Sequence, residues 1–282
     1  MQFNTAQREL TLKIVYYGPG LSGKTTNLRA LYQRIQPTLR DPHLMTLDTA
    51  DDRTLFFDML PIIFRAGNLK VRLRLFTVPG QVMHNSTRRI VLQGTDAIAF
   101  IADSQPAKRQ ENYKYWMNMV ENLRTNGLSV ESLPHVVQWN KKDLGDASTA
   151  QAIENMRREA RQPVFEAIAV QGIGVVETFL ALVEATYARI DKVYLLGEKL
   201  GLTRQGFVEE VRRCFIDPPP STYSSSPGAA ITAPGAMSSA PGAKASAPGA
   251  KASAPGATAP APSAKSSQPG APVPPPHSGE GS

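Results

Sequence analysis

Leu12-Lys-Ile-Val-Tyr-Tyr17 is a short apolar, β-branched and aromatic run. It ends at Gly18-Pro-Gly-Leu-Ser-Gly-Lys24-Thr25, and residues at helical spacing follow. No other stretch restricts the fold so tightly. The run reads as a buried strand feeding a glycine loop. A helix should open at Gly23-Lys24, carry Leu28, Leu31, Tyr32 and Ile35 on one face, and close at Pro37. Gly18, Gly20 and Gly23 permit a tight path that aims backbone N–H groups at phosphate oxygens, and the helix N-terminus adds partial positive charge. The candidate phosphate-binding set is therefore Gly18, Gly20, Leu21, Ser22, Gly23, Lys24, Thr25 and Thr26. Lys24 should reach the β- and γ-phosphates, and the Thr25 hydroxyl should ligate Mg²⁺.

Asn140-Lys-Lys-Asp143 stands downstream of this loop. An Asp carboxylate can accept hydrogen bonds from N1–H and the exocyclic amine of guanine, but it faces acceptors on adenine. A site built on such buried polar groups rejects the wrong base by up to ~10⁴-fold, about 5 kcal/mol. Asp143 would read the base, Lys141 would lay its stem along the base plane, and Asn140 would pin the phosphate loop. Ala169 could offer its backbone N–H to guanine O6; an ordinary strand end explains it equally well. Together the two motifs describe a site for GTP and GDP.

The remaining pattern alternates strand and helix, which predicts an α/β fold around a mostly parallel sheet with one antiparallel hairpin. The hairpin is expected over Thr54–Phe64 and Leu69–Val78, with Arg65-Ala-Gly-Asn68 as its turn. Asp96–Asp103 and His135–Asn140 read as central parallel strands, and Val164–Ala169 as the last. Helices should fill 84–93, 107–126 and 149–161. A long helix from Val175 should stop near Gly197 or Gly201. Trp116 and Trp139 are expected in the core.

Two further segments sit where a γ-phosphate would be sensed. In Asp52-Arg53-Thr54, the Thr54 hydroxyl could bind Mg²⁺ and Arg53 could stabilise the transferring phosphoryl group; a surface ion pair with Asp51 or Asp52 fits Arg53 equally. In Pro79-Gly80-Gln81, the Gly80 N–H could sense the γ-phosphate and Gln81 could orient the attacking water. The candidate catalytic residues are therefore Arg53, Gln81 and Thr54, and the candidate metal ligands are Thr25 and Thr54.

Composition divides the chain. Residues 218–282 hold 15 of the 23 prolines and repeat Ser239-Ala-Pro-Gly-Ala-Lys-Ala245 with a period of seven. Such a segment buries too little apolar surface to offset its ordering entropy, so disorder is expected. The expected division is 1–200 for the nucleotide domain, 201–217 for a short amphipathic helix and 218–282 for the tail. In the helix, Phe207, Val208, Val211 and Phe215 share one side; they either enter a partner's groove or fold back on their own domain. The net charge of +7 is mild, and no Lys/Arg run points to nucleic acid. A single cysteine and the lack of an apolar run of ~18 residues predict a soluble, reduced, cytoplasmic protein without a membrane span. The four histidines show no metal-ligand spacing.

These residues resemble the bacterial Ras-like small GTPases of the MglA type, which control cell polarity and gliding motility. The likeness covers about residues 9–188. It rests on Lys13-Ile-Val-Tyr-Tyr-Gly-Pro-Gly-Leu-Ser-Gly-Lys-Thr-Thr-Asn-Leu28, Asp52-Arg-Thr-Leu-Phe-Phe-Asp58, Thr77-Val-Pro-Gly-Gln-Val82, Ala102-Asp-Ser-Gln105 and Asn140-Lys-Lys-Asp-Leu144. The resemblance implies the P-loop small GTPase fold, GTP hydrolysis with Mg²⁺ and roles in it for Arg53 and Gln81. It further implies a roadblock-type activating partner, polarity or motility effectors, a monomer, and recruitment to a cell pole or the inner face of the membrane. Thr77 stands where most Ras-like proteins carry an Asp, a change that the MglA type shares, and Met83-His84-Asn85 departs from the expected aromatic residues. Two other readings compete. One is a non-hydrolysing nucleotide-bound scaffold acting through the C-terminal helix and tail. The other is a basic adaptor using Arg204, Arg212, Arg213 and the tail lysines.

Overall fold

The computed structural model describes residues 1–39, 45–46, 58–80, 84–159 and 162–216. Alternation along one strand decides the layering. In β2 (Glu9–Tyr17), Leu10, Leu12, Ile14 and Tyr16 enter one apolar cluster, while Val15 and Tyr17 enter the other. A strand apolar on both faces must lie inside a sheet covered on both sides. β6 (Ala97–Asp103), buried along its whole length, is its parallel neighbour, as the uninterrupted apolar run predicted.

The sheet follows the order β3 (Met45–Thr46), β4 (Asp58–Ala66), β5 (Leu69–Thr77), β2, β6, β7 (His135–Asn140), β8 (Val164–Ala167), with β1 (Gln2–Asn4) antiparallel beside the start of β2. β4 (Asp58–Ala66) and β5 (Leu69–Thr77) form the expected hairpin, joined through Gly67-Asn68. The residues 54–57 assigned to its first strand lie outside the described residues. β7 (His135–Asn140) and β8 (Val164–Ala167) continue the parallel half. β3 (Met45–Thr46) and β1 are short antiparallel additions that carry too little periodicity to read in advance.

On one face lie α1 (Lys24–Arg34), α5 (Val175–Tyr194) and α7 (Arg204–Arg213). On the other lie α2 (Asn85–Leu92), α3 (Arg109–Thr125) and α4 (Ala147–Glu159). Trp139 is buried, and half-buried Trp116 packs edge-on to Phe100 with ring centroids 5.1 Å apart. Both serve the core, as expected. Among the described residues no helix is long and apolar enough to cross a membrane.

The long helix stops earlier than its glycines suggested. Leu195 turns left-handed at φ 54°, and the chain restarts as α6 (Leu196–Leu200). Asp191 accepts from the Gly197 amide at 2.7 Å, so a side chain near the helix end reshapes the corner before either glycine is reached. Thr203 then caps α7 by accepting from the Gly206 amide.

The amphipathic stripe folds back on its own domain. Phe207 and Val211 are fully buried, with Phe207 against Phe64 of β4 and Tyr187 of α5. Burial of this kind contributes roughly 1.5–3 kcal/mol per large apolar side chain. Cys214, just past α7, is 2% exposed, and burial pushes its thiol up to about 11. At pH 8 it should therefore carry on the order of 100-fold less thiolate than an ordinary cysteine. Iodoacetamide should label the native chain about 100-fold more slowly than the urea-unfolded chain. Equal labelling rates would show that the C-terminal segment does not stay docked.

Candidate functional site

The site sits where the C-terminal ends of β2, β6 and β7 meet the loops that follow. The phosphate loop leaves β2 at Gly18 and enters α1 at Lys24. Gly23 holds φ 97°, and a Cβ there would lie 2.1 Å from Asn140 Nδ2, so conformation and space both demand glycine. Lys24 is 6% exposed, and its ammonium donates to the Gly18 carbonyl at 2.9 Å and the Pro19 carbonyl at 2.6 Å. These bonds hold the cation against the backbone of the loop. Thr25 and Thr26 follow in the first turn of α1, both half-buried. Ser22 is buried within the loop, while Leu21 is left-handed and 88% exposed.

Asn140 ends β7 and is 2% exposed. Its amide donates to the Ser22 carbonyl at 2.8 Å, and its carbonyl oxygen accepts from the Ala169 amide at 2.9 Å. One side chain thus ties the phosphate loop to the turn Ala169–Gln171. Ala169 was expected at the end of the last strand; it instead opens this turn, buried, and its amide donates to Asn140. The strand ends two residues earlier because Ile168 pairs with Ile173 across the turn.

Lys141 is left-handed at φ 61°, and its ammonium lies 2.7 Å from an Asp103 carboxylate oxygen. Asp103 is 1% exposed, and its other carboxylate oxygen accepts from the Gln105 amide. Asn112 of α3 clasps the Asp103 backbone from both sides, at 2.9 and 2.8 Å. Asp143 lies in the turn Lys142–Leu144 that follows, exposed. The segment Asn140–Asp143 is thus set on two buried anchors, Asn140 and Asp103.

Gly80 closes the site from the side of β5. A Cβ on Gly80 would lie 2.4 Å from the Gly20 Cα and 3.4 Å from the Lys24 ammonium, so this backbone reaches the phosphate loop directly. Tyr115 donates its hydroxyl to the Gly80 carbonyl. Beneath it, Arg88 is 3% exposed, stacks 5.4 Å from the Tyr115 ring centroid and donates to Asn118 at 3.0 Å. Asn118 and Asn122 also hold the Tyr17 hydroxyl, whose pKa burial raises to about 12.

The structure therefore brings together Gly18–Thr26, Gly80, Asn140, Lys141, Asp143 and the Ala169 turn. Arg53, Thr54 and Gln81 lie outside the described residues. Asp103, Asn112, Arg88 and Tyr115 were missed as supporting residues. One signal could have found part of this set: Asn112, Tyr115, Asn118 and Asn122 fall three or four apart, and amides at core spacing along a helix need buried partners. Among the described residues no group of three or more His, Cys, Asp or Glu could hold a metal ion.

No protein-family model matches this chain. Its sequence is 38% identical over 190 residues to the mutual gliding-motility protein MglA of Myxococcus xanthus (strain DK1622). The match covers 67% of this chain and 97% of that protein.

Proposed function

The chain belongs to the MglA-type small GTPases, and we propose that it works as a GTP-operated switch that hydrolyses GTP to GDP and phosphate. The observation that carries this reading is Asn140, which joins the phosphate loop to the Ala169 turn with one buried amide. That link makes phosphate binding and base reading parts of one rigid site. Asp143 then accepts from guanine, Lys141 flanks the base, and Lys24 with the loop amides neutralises the phosphates.

Mg²⁺ would be held by the Thr25 and Thr54 hydroxyls together with phosphate oxygens. The bound ion would neutralise charge on the β- and γ-phosphates. Gln81 positions the attacking water, Arg53 faces the charge that develops on the transferring group, and the Gly80 amide senses the γ-phosphate. Cell polarity or gliding motility is the proposed setting, with a roadblock-type protein as activator and effectors that bind the GTP state. The relative's name as a gliding-motility protein and its 38% identity to this chain support that setting.

Single-turnover GTP hydrolysis tests this reading. The full chain should hydrolyse slowly, and Arg53→Ala or Gln81→Ala should lower the rate by about 10²-fold or more. Tight GTP binding with no turnover, unchanged by either substitution, would mean a nucleotide-bound scaffold instead.

A further inference from the structure

The segment after α5 packs back on the domain and meets the C-terminal end of α1. Phe207 of α7 packs between Phe64 and Tyr187, and Phe215 stacks edge-on to Phe179 at 5.7 Å. Past α7 the chain pairs antiparallel with the end of α1, Phe215 opposite Ile35. The Gln36 amide donates to the Cys214 carbonyl at 2.8 Å, and the Ile216 amide donates to the Arg34 carbonyl at 2.7 Å. The Gln36 side chain adds a bond to the Arg213 carbonyl.

Arg34 connects this pairing to the nucleotide site. It is the last residue of α1, the helix that opens on the phosphate loop. Its guanidinium lies against Gly172, where a Cβ would sit 2.8 Å from Nη2 and 2.9 Å from Nε. Gly172, left-handed at φ 70°, closes the turn whose first amide bonds Asn140. A continuous path of contacts therefore runs from Ile216 through Arg34, Gly172 and Ala169 to Asn140.

We propose that Leu196–Ile216 is an internal brake on nucleotide release: by fixing Arg34 against Gly172 it holds the guanine-reading turn closed. The proposal rests on the nucleotide-switch reading above. Opening the turn to free a base requires Gly172 and Ala169 to move, and Arg34 blocks that movement only while its carbonyl is held from behind by Ile216.

The test is dissociation of N-methylanthraniloyl-GDP from the full-length chain, chased with excess GDP. Ile216→Pro, which loses the N–H bonded to the Arg34 carbonyl, should speed release about fivefold, the worth of one net hydrogen bond, and Arg34→Ala, which keeps the backbone pairing but removes the contact with Gly172, should speed it by a similar factor. The association rate and the fraction of active sites should stay at parental values, which a merely structural lesion would not spare. A chain ending at Asp217 should release at the parental rate, because it keeps the pairing. If Ile216→Pro fails to fold, Arg34→Ala decides alone. Parental release from folded Arg34→Ala would overturn the brake. A parental chain that takes up no labelled GDP would instead overturn the nucleotide reading itself, and the two failures are separate observations.

Discussion

Asn140→Ala should cost this protein both stability and nucleotide. The substitution leaves the Ser22 carbonyl and the Ala169 amide without the partner they now share. Each buried group left unpaired costs about 1–3 kcal/mol. For a domain of this size that lowers the melting temperature by roughly 5–15 °C. GDP affinity should fall further than stability alone explains, because the phosphate loop and the Ala169 turn would no longer move together. Asn140→Asp separates the two links. Its carboxylate can still accept from Ala169, but it offers no donor to Ser22 and faces a carbonyl. It should keep more of the fold than Asn140→Ala while losing a comparable share of affinity. Thermal melts beside GDP titration check this, and parental values of both in Asn140→Ala would remove the link from the account.

Lys24→Met carries the larger loss of binding. The methionine keeps an unbranched apolar stem in a position that is 6% exposed, so packing is largely preserved and the charge alone is removed. In the structure the ammonium is held by the Gly18 and Pro19 carbonyls and lies beside Gly80. Two charge-assisted hydrogen bonds to phosphate, at about 1.5–3 kcal/mol each, amount to about 10²- to 10⁴-fold in affinity. Isothermal titration with GDP measures it. An affinity within threefold of the parent would mean that Lys24 serves only to shape its own loop.

The sequence announced the parts of this molecule whose constraints are local. Leu12–Tyr17 could only be a strand entering the phosphate loop. Gly23 had to be glycine because its backbone is left-handed and Asn140 fills the space beside it. The hairpin was legible because β4 and β5 alternate around a two-residue loop. What stayed hidden depends on contacts between distant residues. The Asp103 anchor for Lys141 lies 38 positions away, and no local pattern separates it from any acidic residue at a strand end. The break at Leu195 follows from an Asp191 carboxylate seeking the Gly197 amide, a contact that outweighs the glycine stop signal. The phenylalanines of the α7 stripe looked the same whether they met a partner or their own domain. Only the Phe64 and Tyr187 rings opposite Phe207 decide between the two.

The measurement that bears most directly on the central claim is base discrimination. The full chain would be loaded with N-methylanthraniloyl-GDP and challenged with GDP, GTP, ADP and ATP in the presence of Mg²⁺. The account predicts that GDP and GTP displace the label at near-stoichiometric concentrations, while the adenine nucleotides need an excess approaching ~10⁴-fold. Displacement by ADP and GDP at similar concentrations would contradict it, leaving a phosphate loop that does not read the base.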